Sequence, residues 1–309
     1  MSLQNAPFVT VNAFSRDLFG GNPAAVVVLP PDYELDPTFL KEVSKNFNQP
    51  ITTFIQPPSP NAAEEDEVFN VRFYTGDHEP VICGHGIFAA TKAICVGNLP
   101  GVNWDLAAKE VKFRTRHGTI VTARHTPGEA GDKDSEWYKI ELPENLVQEV
   151  SPQDKERVRV AVAKALGKEP EDLGLDYVAR GSDPQKNYII IVLNDKENID
   201  GLELNIPALI DTAPFTTNII TQQTPDKDHV FISRMFAPLI GLLEDHVCGS
   251  AHMLLVPYWS KKFGKVGQEL PVRQVSPRGG DLKVTWDEER KIVKLKGRGL
   301  IVTRGEMLA

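Results

Sequence analysis

Two short stretches of this 309-residue chain are versions of one motif: Glu79-Pro-Val-Ile-Cys83-Gly-His-Gly86 and Glu244-Asp-His-Val-Cys248-Gly-Ser-Ala251. A strand-like run with an arginine and an aromatic precedes each, Val71-Arg-Phe-Tyr-Thr75 and Ser233-Arg-Met-Phe-Ala237, and an apolar helical pattern follows each. Internal repetition of this kind predicts two related halves facing each other across a pseudo-two-fold axis, with Cys83 and Cys248 as the facing groups. The length agrees, since 309 residues exceed what one hydrophobic core usually organises.

Strand-like runs rich in Val, Ile, Phe and Thr dominate, among them Phe8–Phe14, Ala24–Leu29, Thr52–Ile55, Val68–Tyr74, Tyr188–Leu193, Asn218–Gln222 and His229–Met235. Turn-separated runs near the end, Leu282–Trp286, Ile292–Lys296 and Leu300–Arg304, continue a hairpin-type pattern that few helices interrupt. Asp36 caps a helix over Pro37–Phe47, and Ser151-Pro152 opens another that reaches Leu166 and stops at Gly167. A shorter helix is expected over Pro207–Thr212. Helices also begin at the repeated motifs, over Gly84–Val96 and Gly249–Phe263, and are apolar nearly all round, so each must be buried. Polar segments at 57–67, 127–135 and 222–228 read as surface loops, the second lying near the boundary between halves.

A formal charge of −8 offers no basic stripe for neutralising phosphates, which argues against nucleic-acid binding. No apolar run reaches the roughly 20 residues of a membrane span, and Met-Ser-Leu-Gln-Asn-Ala-Pro lacks the regions of a signal peptide. A cytoplasmic protein without membrane contact is the expectation. Three cysteines in such a chain are core fillers or reactive thiols rather than a disulfide framework. Cys95, inside an apolar helix, reads as a core filler.

Cys83-Gly84-His85-Gly86 stands at a helix start, where first-turn N–H groups have no partner within the helix and can hold a carboxylate. The same donors favour thiolate at the preceding cysteine, and glycine lets backbone approach a ligand closely. Cys248-Gly249-Ser250-Ala251 repeats the arrangement. Two cysteines on opposite faces of one pocket suit inversion at a carbon acid. One thiolate removes a proton, the other thiol delivers one to the opposite face, and the helix starts stabilise enolate-like charge.

Val81-Ile-Cys83-Gly-His-Gly86-Ile-Phe-Ala resembles the first cysteine motif of proline racemases and hydroxyproline epimerases and is similar to the Cys-Gly-Asn-Gly motif of diaminopimelate epimerase. Cys248-Gly249-Ser250 resembles the second cysteine motif of both. Over nearly the whole chain the order of motifs is most similar to the PhzF-like, or phenazine biosynthesis-like, family: Val11-Asn-Ala-Phe, Phe19-Gly-Gly-Asn22-Pro23-Ala-Ala-Val, Cys83-Gly-His85, Ser233-Arg-Met-Phe-Ala-Pro, Glu244-Asp245, Gly249-Ser250-Ala251-His252, Pro257-Tyr-Trp259 and Pro277-Arg-Gly-Gly280. The resemblance implies an α+β, diaminopimelate-epimerase-like fold of two pseudo-symmetric domains, each a rolled, mostly antiparallel sheet around a central buried helix. It places an N-terminal domain at 1–125, joined by a C-terminal strand at 298–309, and a second domain at 126–297. It also implies that His85 lines the site and that Asp245 is a site acid. The chain departs from the family where a catalytic glutamate is expected: Asn48-Gln-Pro-Ile51-Thr-Thr-Phe54 carries Ile51 in that slot.

Other polar residues have competing readings. Asp245 could equally cap the helix after Cys248, and Asn22 could reach the pocket or simply make the turn before Pro23. Glu79 and Glu244 fit a structural role at the strand-to-helix corner, and Arg72 and Arg234 fit either a substrate carboxylate or an ion pair. His78, His85, His246 and His252 match no standard zinc spacing, and no motif indicates a nucleotide, pyridoxal or nicotinamide cofactor. The expectation is a cofactor-independent, metal-free racemase or epimerase of an amino acid or related small carboxylate. Cys83 and Cys248 are its acid/base pair, and Asn22, Gly84, His85, Gly86, Asp245, Gly249, Ser250 and Ala251 contact substrate. The alternatives are a PhzF-like isomerase that uses Asp245 and His85, and a non-catalytic binding protein on the same scaffold. Two copies could pair through an exposed sheet edge as a homodimer.

Overall fold

A parallel pair of strands needs a crossover between them, and this chain places a helical segment wherever its sheets turn parallel. The computed structural model describes residues 5–59, 68–76, 78–104, 110–126 and 136–308. The loop expected at 127–135 and most of the one expected at 57–67 lie outside the described residues. Two compact units divide the chain, Met1–Leu142 with Leu295–Ala309, and Pro143–Lys294.

In the first unit β1 (Asn5–Ala13) pairs antiparallel with β2 (Asn22–Val28) and with the last strand of the chain, Gly299–Leu308. The β1–β2 turn requires Gly21, whose φ is +69° and whose added Cβ would lie 2.4 Å from the Ala13 carbonyl oxygen. Helix α1 (Pro37–Phe47) starts where Asp36 accepts hydrogen bonds from the Thr38 and Phe39 N–H groups and ends on left-handed Asn48. Its buried Leu40 and Val43 join Val27, Leu29, Phe54 and Tyr74 in one core. The crossover delivers β3 (Ile51–Gln56) parallel to β2, and β4 (Val68–Tyr74) returns antiparallel to β3. Helix α2 (Gly84–Val96) then crosses over to β5 (Val111–Arg114), parallel to β4, and β6 (Ile120–Thr126) and β7 (Trp137–Pro143) complete the sheet.

Every residue of α2 from Gly84 to Cys95 is buried, and the helix packs on β1, β2, β3 and β6. Phe88 meets Phe14 at a ring separation of 4.4 Å and Tyr138 edge-on at 5.8 Å. Such ring contacts are worth about 0.5–1.5 kcal/mol each beyond the area they bury. A helix that is apolar all round is stable only inside such a wrapping sheet.

The second unit repeats the plan. After β8 (Gln148–Glu149), helix α3 (Pro152–Leu166) runs from the Ser151 cap to left-handed Gly167. Strands β9 (Leu175–Arg180) and β10 (Tyr188–Leu193) are antiparallel, and β11 (Thr217–Gln223) is parallel to β10. The helical crossover expected at 207–212 is a tighter 3₁₀ segment, Ile206–Thr212. Strand β12 (Phe231–Ala237) pairs antiparallel with β11 and with β13 (Leu242–Asp245). Buried helix α4 (Gly249–Phe263) leads to β14 (Leu270–Gln274), parallel to β12, and then to antiparallel β15 (Gly280–Asp287). Strand β16 (Ile292–Gly297) and β17, the Gly299–Leu308 strand already described, end the chain. Trp259 anchors α4, stacking on Phe231 at 5.4 Å and donating from Nε1 to Thr221.

The observed sheets are mixed α+β rather than simply hairpin-built, with parallel pairs at β2–β3, β4–β5, β10–β11 and β12–β14. Strands β9 and β14 carry weak sequence signals. The first has few β-branched residues, and the second contains Pro271, which is tolerated because it is exposed while Leu270 and Val272 are buried. Gln222, expected both as the end of a strand and as the start of a loop, is a buried strand residue.

Register shows how deep the repeat runs. Arg72 lies opposite Phe54, and Arg234 lies opposite Ile220. Two residues beyond those partners come Gln56 and Gln222, both buried. Gln56 Nε2 donates to the Pro30 and Tyr33 carbonyls, and Gln222 holds Glu197 O and Ile199 N at 2.8 and 3.0 Å. Three residues before the same partners stand Ile51, paired with Ala24, and Thr217, paired with Tyr188. The units therefore correspond residue by residue, with Ala24 matching Tyr188 and Ile51 matching Thr217.

Candidate active site

Cys83 is the N-cap of α2 in extended conformation, and it buries its side chain to 8% exposure. Its Sγ lies 3.4 Å from His85 Nδ1. Gly86 is required by close packing, since a Cβ there would lie 2.7 Å from Thr53 Oγ1 and 3.1 Å from the Phe73 ring. Asn22 is fully buried as the first residue of β2, opposite Ala13, and Ile51 is fully buried at the start of β3.

Cys248 is the N-cap of α4 and is 3% exposed. Its Sγ lies 3.2 Å from Ser250 Oγ, and its backbone N–H donates to Gln274 Oε1 at 2.8 Å. Gln274 Nε2 donates to the Asp245 carbonyl at 2.6 Å, and Ser276 Oγ donates to the His246 carbonyl at 2.7 Å. Two side chains thus clamp the turn that presents Cys248. The Ser250 carbonyl also accepts from Gln185 Nε2 at 3.3 Å, and Tyr188 lies opposite Thr217 in the β10–β11 pairing.

Burial pushes the Cys248 thiol well above its ordinary value, and the Asp245 charge adds to this against the easing effects of Ser250 and the Ala251 N–H. This corrects the expectation of a thiolate at that helix start, and magnitudes explain why. A helix terminus is worth roughly 0.3–2 kcal/mol, whereas full burial can shift a pKa by up to roughly 3–5 units at about 1.4 kcal/mol each. Burial also pushes Cys95 up to about 12, as befits a core thiol. His252 is fully buried, bonds the Cys248 carbonyl through Nδ1 at 2.7 Å, and is lowered by burial to about 4, so it is neutral near pH 7.

The arginines are ion-paired. Arg72 holds Glu79 by two bonds, one from Nη2 to Oε2 at 2.8 Å, and Tyr74 and Arg116 also donate to Glu79. Burial opposes the Glu79 charge, yet these donors hold its carboxyl below the usual range. Arg234 holds Glu244 at 2.7 and 2.8 Å and donates to the Ile199 and Leu202 carbonyls. These four residues therefore lock the corners ahead of each cysteine. Asp245 is half-buried at the end of β13, its carbonyl held by Gln274. His78 is exposed and closes a small turn with Thr75. Among the described residues no group of three or more His, Cys, Asp or Glu side chains is placed to hold a metal ion.

Residues that sequence reasoning missed are Gln274, Ser276, Gln185, Tyr188 and Thr217. Their only sequence signal is polarity at the ends of otherwise apolar strands and in the loops beside them.

Paired α+β units, each with a cysteine at the start of a buried central helix, define the class as an epimerase-like fold. The chain belongs to the phenazine biosynthesis-like protein family, whose model matches residues 11–305. An uncharacterized isomerase of Halalkalibacterium halodurans is 30% identical over 312 residues, covering 99% of this chain and 100% of that protein. A PhzF-family phenazine biosynthesis protein of Enterococcus faecalis superposes with a TM-score of 0.76 at 25% identity, covering 99% of this chain and 100% of its own. A probable proline racemase of Agrobacterium radiobacter shares the fold, with a TM-score of 0.60 at 13% identity over 98% of this chain and 93% of its own. An uncharacterized isomerase of Pseudomonas aeruginosa is likewise 29% identical over 301 residues, covering 97% of each chain. No helix among the described residues is long and apolar enough to cross a membrane.

Proposed function

We propose that this protein is a cofactor-independent racemase or epimerase that inverts a small carbon acid, an amino acid or related carboxylate, through Cys83 and Cys248. The observation that carries this reading is the register-matched repeat that ends, in both units, on a cysteine at the N-cap of a buried helix. The first turns of α2 and α4, at Gly84–Gly86 and Gly249–Ala251, suit a carboxylate and the enolate-like charge that develops when its α-proton leaves.

The thiols take different roles. Cys248, held protonated by burial, is the proton donor. Cys83, with His85 Nδ1 at 3.4 Å to share its proton, is the base. The Cys83 thiolate takes the α-proton, and the Cys248 S–H gives its proton to the opposite face of the same carbon, inverting it. The reverse reaction needs the opposite protonation states.

Incubating candidate amino acids and hydroxy acids in deuterated water should give α-label together with inversion. Cys83→Ala and Cys248→Ala should each lower the rate by about 10²–10⁴-fold, the usual contribution of a positioned acid or base. Label without inversion, or full activity in either variant, would sink the two-thiol mechanism. A second reading draws on Ile51, fully buried in the slot where the family pattern has its glutamate. It is an isomerase that shifts a proton within an unsaturated acid using Asp245 and His85. Loss of activity in Asp245→Asn but not in the cysteine variants would favour it. Saturable binding of a carboxylate without any turnover would favour a binding protein.

A further inference from the structure

The outer N–H and C=O groups of an edge strand have no partner in their own sheet, which makes a sheet edge a template for another chain. Strand β17 is such an edge. It pairs antiparallel with β1, and among the described residues it has no second ladder. Natural edges are commonly short or guarded by lysine or proline. β17 is ten residues long and contains neither. Its register against β1 shifts between Thr10 and Val11, which face Thr303 and Ile301, so Val302 is the extra residue of a bulge. Past the bulge, Thr303–Leu308 runs in unbroken register against Asn5–Thr10.

Along that stretch Thr303, Arg304, Glu306 and Leu308 are exposed, Leu308 to 80%. Arg304 and Glu306 stand two residues apart and therefore project from one face of the strand. Among the described residues neither makes an ion pair. Gly305 lies between them, opposite Phe8 of β1, and a Cβ there would lie 2.8 Å from the Phe8 ring. Position 305 thus presents backbone alone, with the ring covering it from one face.

When a strand pairs antiparallel with its own copy, residues equally far on either side of the two-fold axis face each other. With Arg304 or Glu306 on the axis, that charge would face itself. With Gly305 on the axis, Arg304 of each copy faces Glu306 of the other, and Thr303 faces Met307. Opposite charges directly across a ladder attract, and like charges repel. The exposed Leu308 then meets Val302 of the second copy, where the bulge ends the regular ladder. The edge is self-complementary in one register and self-repelling in the registers on either side of it. This charge pattern is what identifies the occupant as a second copy of the same chain.

We propose that the protein forms a symmetric dimer in which β17 pairs antiparallel with β17 of a second copy, centred on Gly305. The order β2–β1–β17 then continues across the axis into its equivalent, and the unpaired edge is closed. The contact uses no residue of either cysteine corner, so it stands or falls separately from the two-thiol reading.

Sedimentation of the full-length protein tests it. One strand pair is a small interface, so the dissociation constant should fall on the order of 1–100 µM, and dimer should dominate at about 200 µM. Arg304→Glu and Glu306→Arg each turn two attractive contacts into two repulsive ones, and each should weaken the dimer about tenfold or more. The double variant R304E/E306R exchanges the charges and should return to within about threefold of the parent, because the two positions act on each other. Both side chains are exposed, and far-UV circular dichroism should be unchanged in all three variants. Amide hydrogen exchange of the unaltered protein needs no variant: Thr303–Met307 should exchange more slowly at high protein concentration than at low. A monomer at about 200 µM would overturn the proposal and leave this edge to an extended segment of another protein. A dimer that both single reversals leave intact, or a double variant as weak as the singles, would overturn it as well.

Discussion

The starts of α2 and α4 are the same corner built twice, and they differ in the atoms around the sulfur. Both corners share an arginine–glutamate lock, a buried glutamine two residues past the arginine's cross-strand partner, and a cysteine at the N-cap. They part at Ala24 against Tyr188, Ile51 against Thr217, His85 against Ser250, and Ile87 against His252. Each unit therefore serves as an internal control for the other. What repeats holds the corner in shape. What differs sets the surroundings of the sulfur: Cys83 is paired with an imidazole, whereas Cys248 is buried beside the Ser250 hydroxyl, and burial raises its thiol well above the ordinary value.

The largest effect should come from breaking the lock that both corners share. Arg234 is 5% exposed, and Glu244 has Arg234 as its only recorded ion-pair partner among the described residues, so Arg234→Ala strands a nearly buried carboxylate and two carbonyls. A loss of about 3–5 kcal/mol is expected. Arg72→Ala should cost less, about 2 kcal/mol, because Tyr74 and Arg116 still donate to Glu79. Urea unfolding of the two variants, followed by tryptophan fluorescence, compares them. Equal losses would mean that the locks differ less than their hydrogen bonds indicate.

Acid should separate the units next. His252 is buried where the first unit has the equally buried Ile87. Its folded value of about 4 lies below the ordinary 6.5, so the unfolded chain binds this proton first. Stability should therefore be full above pH 6.5 and fall between pH 6.5 and about 4, by on the order of 3 kcal/mol. His252→Gln should flatten that limb in a pH series of unfolding curves. A limb that persists in the variant would assign it to another group.

The Gln274 clamp has no counterpart of equal reach. One residue beyond the β4–β5 pairing, its register position is held by Thr115, whose side chain is too short to span a turn. Gln274→Leu should cost about 1–3 kcal/mol by removing the hydrogen bonds that Gln274 makes to the Cys248 N–H and the Asp245 carbonyl. It should also lower the inversion rate, whereas Thr115→Val should change neither by a comparable amount. A Gln274→Leu enzyme with unaltered rate would show that the clamp supports folding alone.

The shared half of the corner was legible in the sequence because it is written in residue identity at matching spacing. Gly84–Val96 and Gly249–Phe263 could be bounded from their cysteine-glycine starts and apolar faces, and the helices after Asp36 and Ser151 from their caps. The divergent half was not. Gln274 reaches Cys248 across 26 positions of chain, and one amide that bridges two backbone groups leaves no local pattern. Tyr188 and Thr217 become neighbours only through a parallel pairing, whose register no turn residue specifies. The protonation of Cys248 was misjudged for a related reason, since a helix start is visible in sequence and the depth of burial is not.

The smallest effect sharpens the comparison most. Helices α1 and α3 begin on Asp36 and Ser151, whose oxygens accept first-turn N–H bonds, whereas neither cysteine supplies such a cap bond to α2 or α4. Asp36→Ala and Ser151→Ala should each cost about 1 kcal/mol of stability and leave inversion intact, as expected for caps that only hold helices. Cys83→Ser reverses both signs. A serine oxygen at this N-cap can take up a first-turn donor that the sulfur leaves open, so stability should rise by a few tenths to about 1 kcal/mol. Inversion should be lost, because an alcohol at that position is far too weak an acid to cycle through its anion. A folding cap sacrificed for a thiol is the stability–function trade that a working site shows. If Cys83→Ser instead lost stability and kept its rate, the cysteine at the head of α2 would be packing and not chemistry, and the likeness between the two corners would be one of scaffold alone.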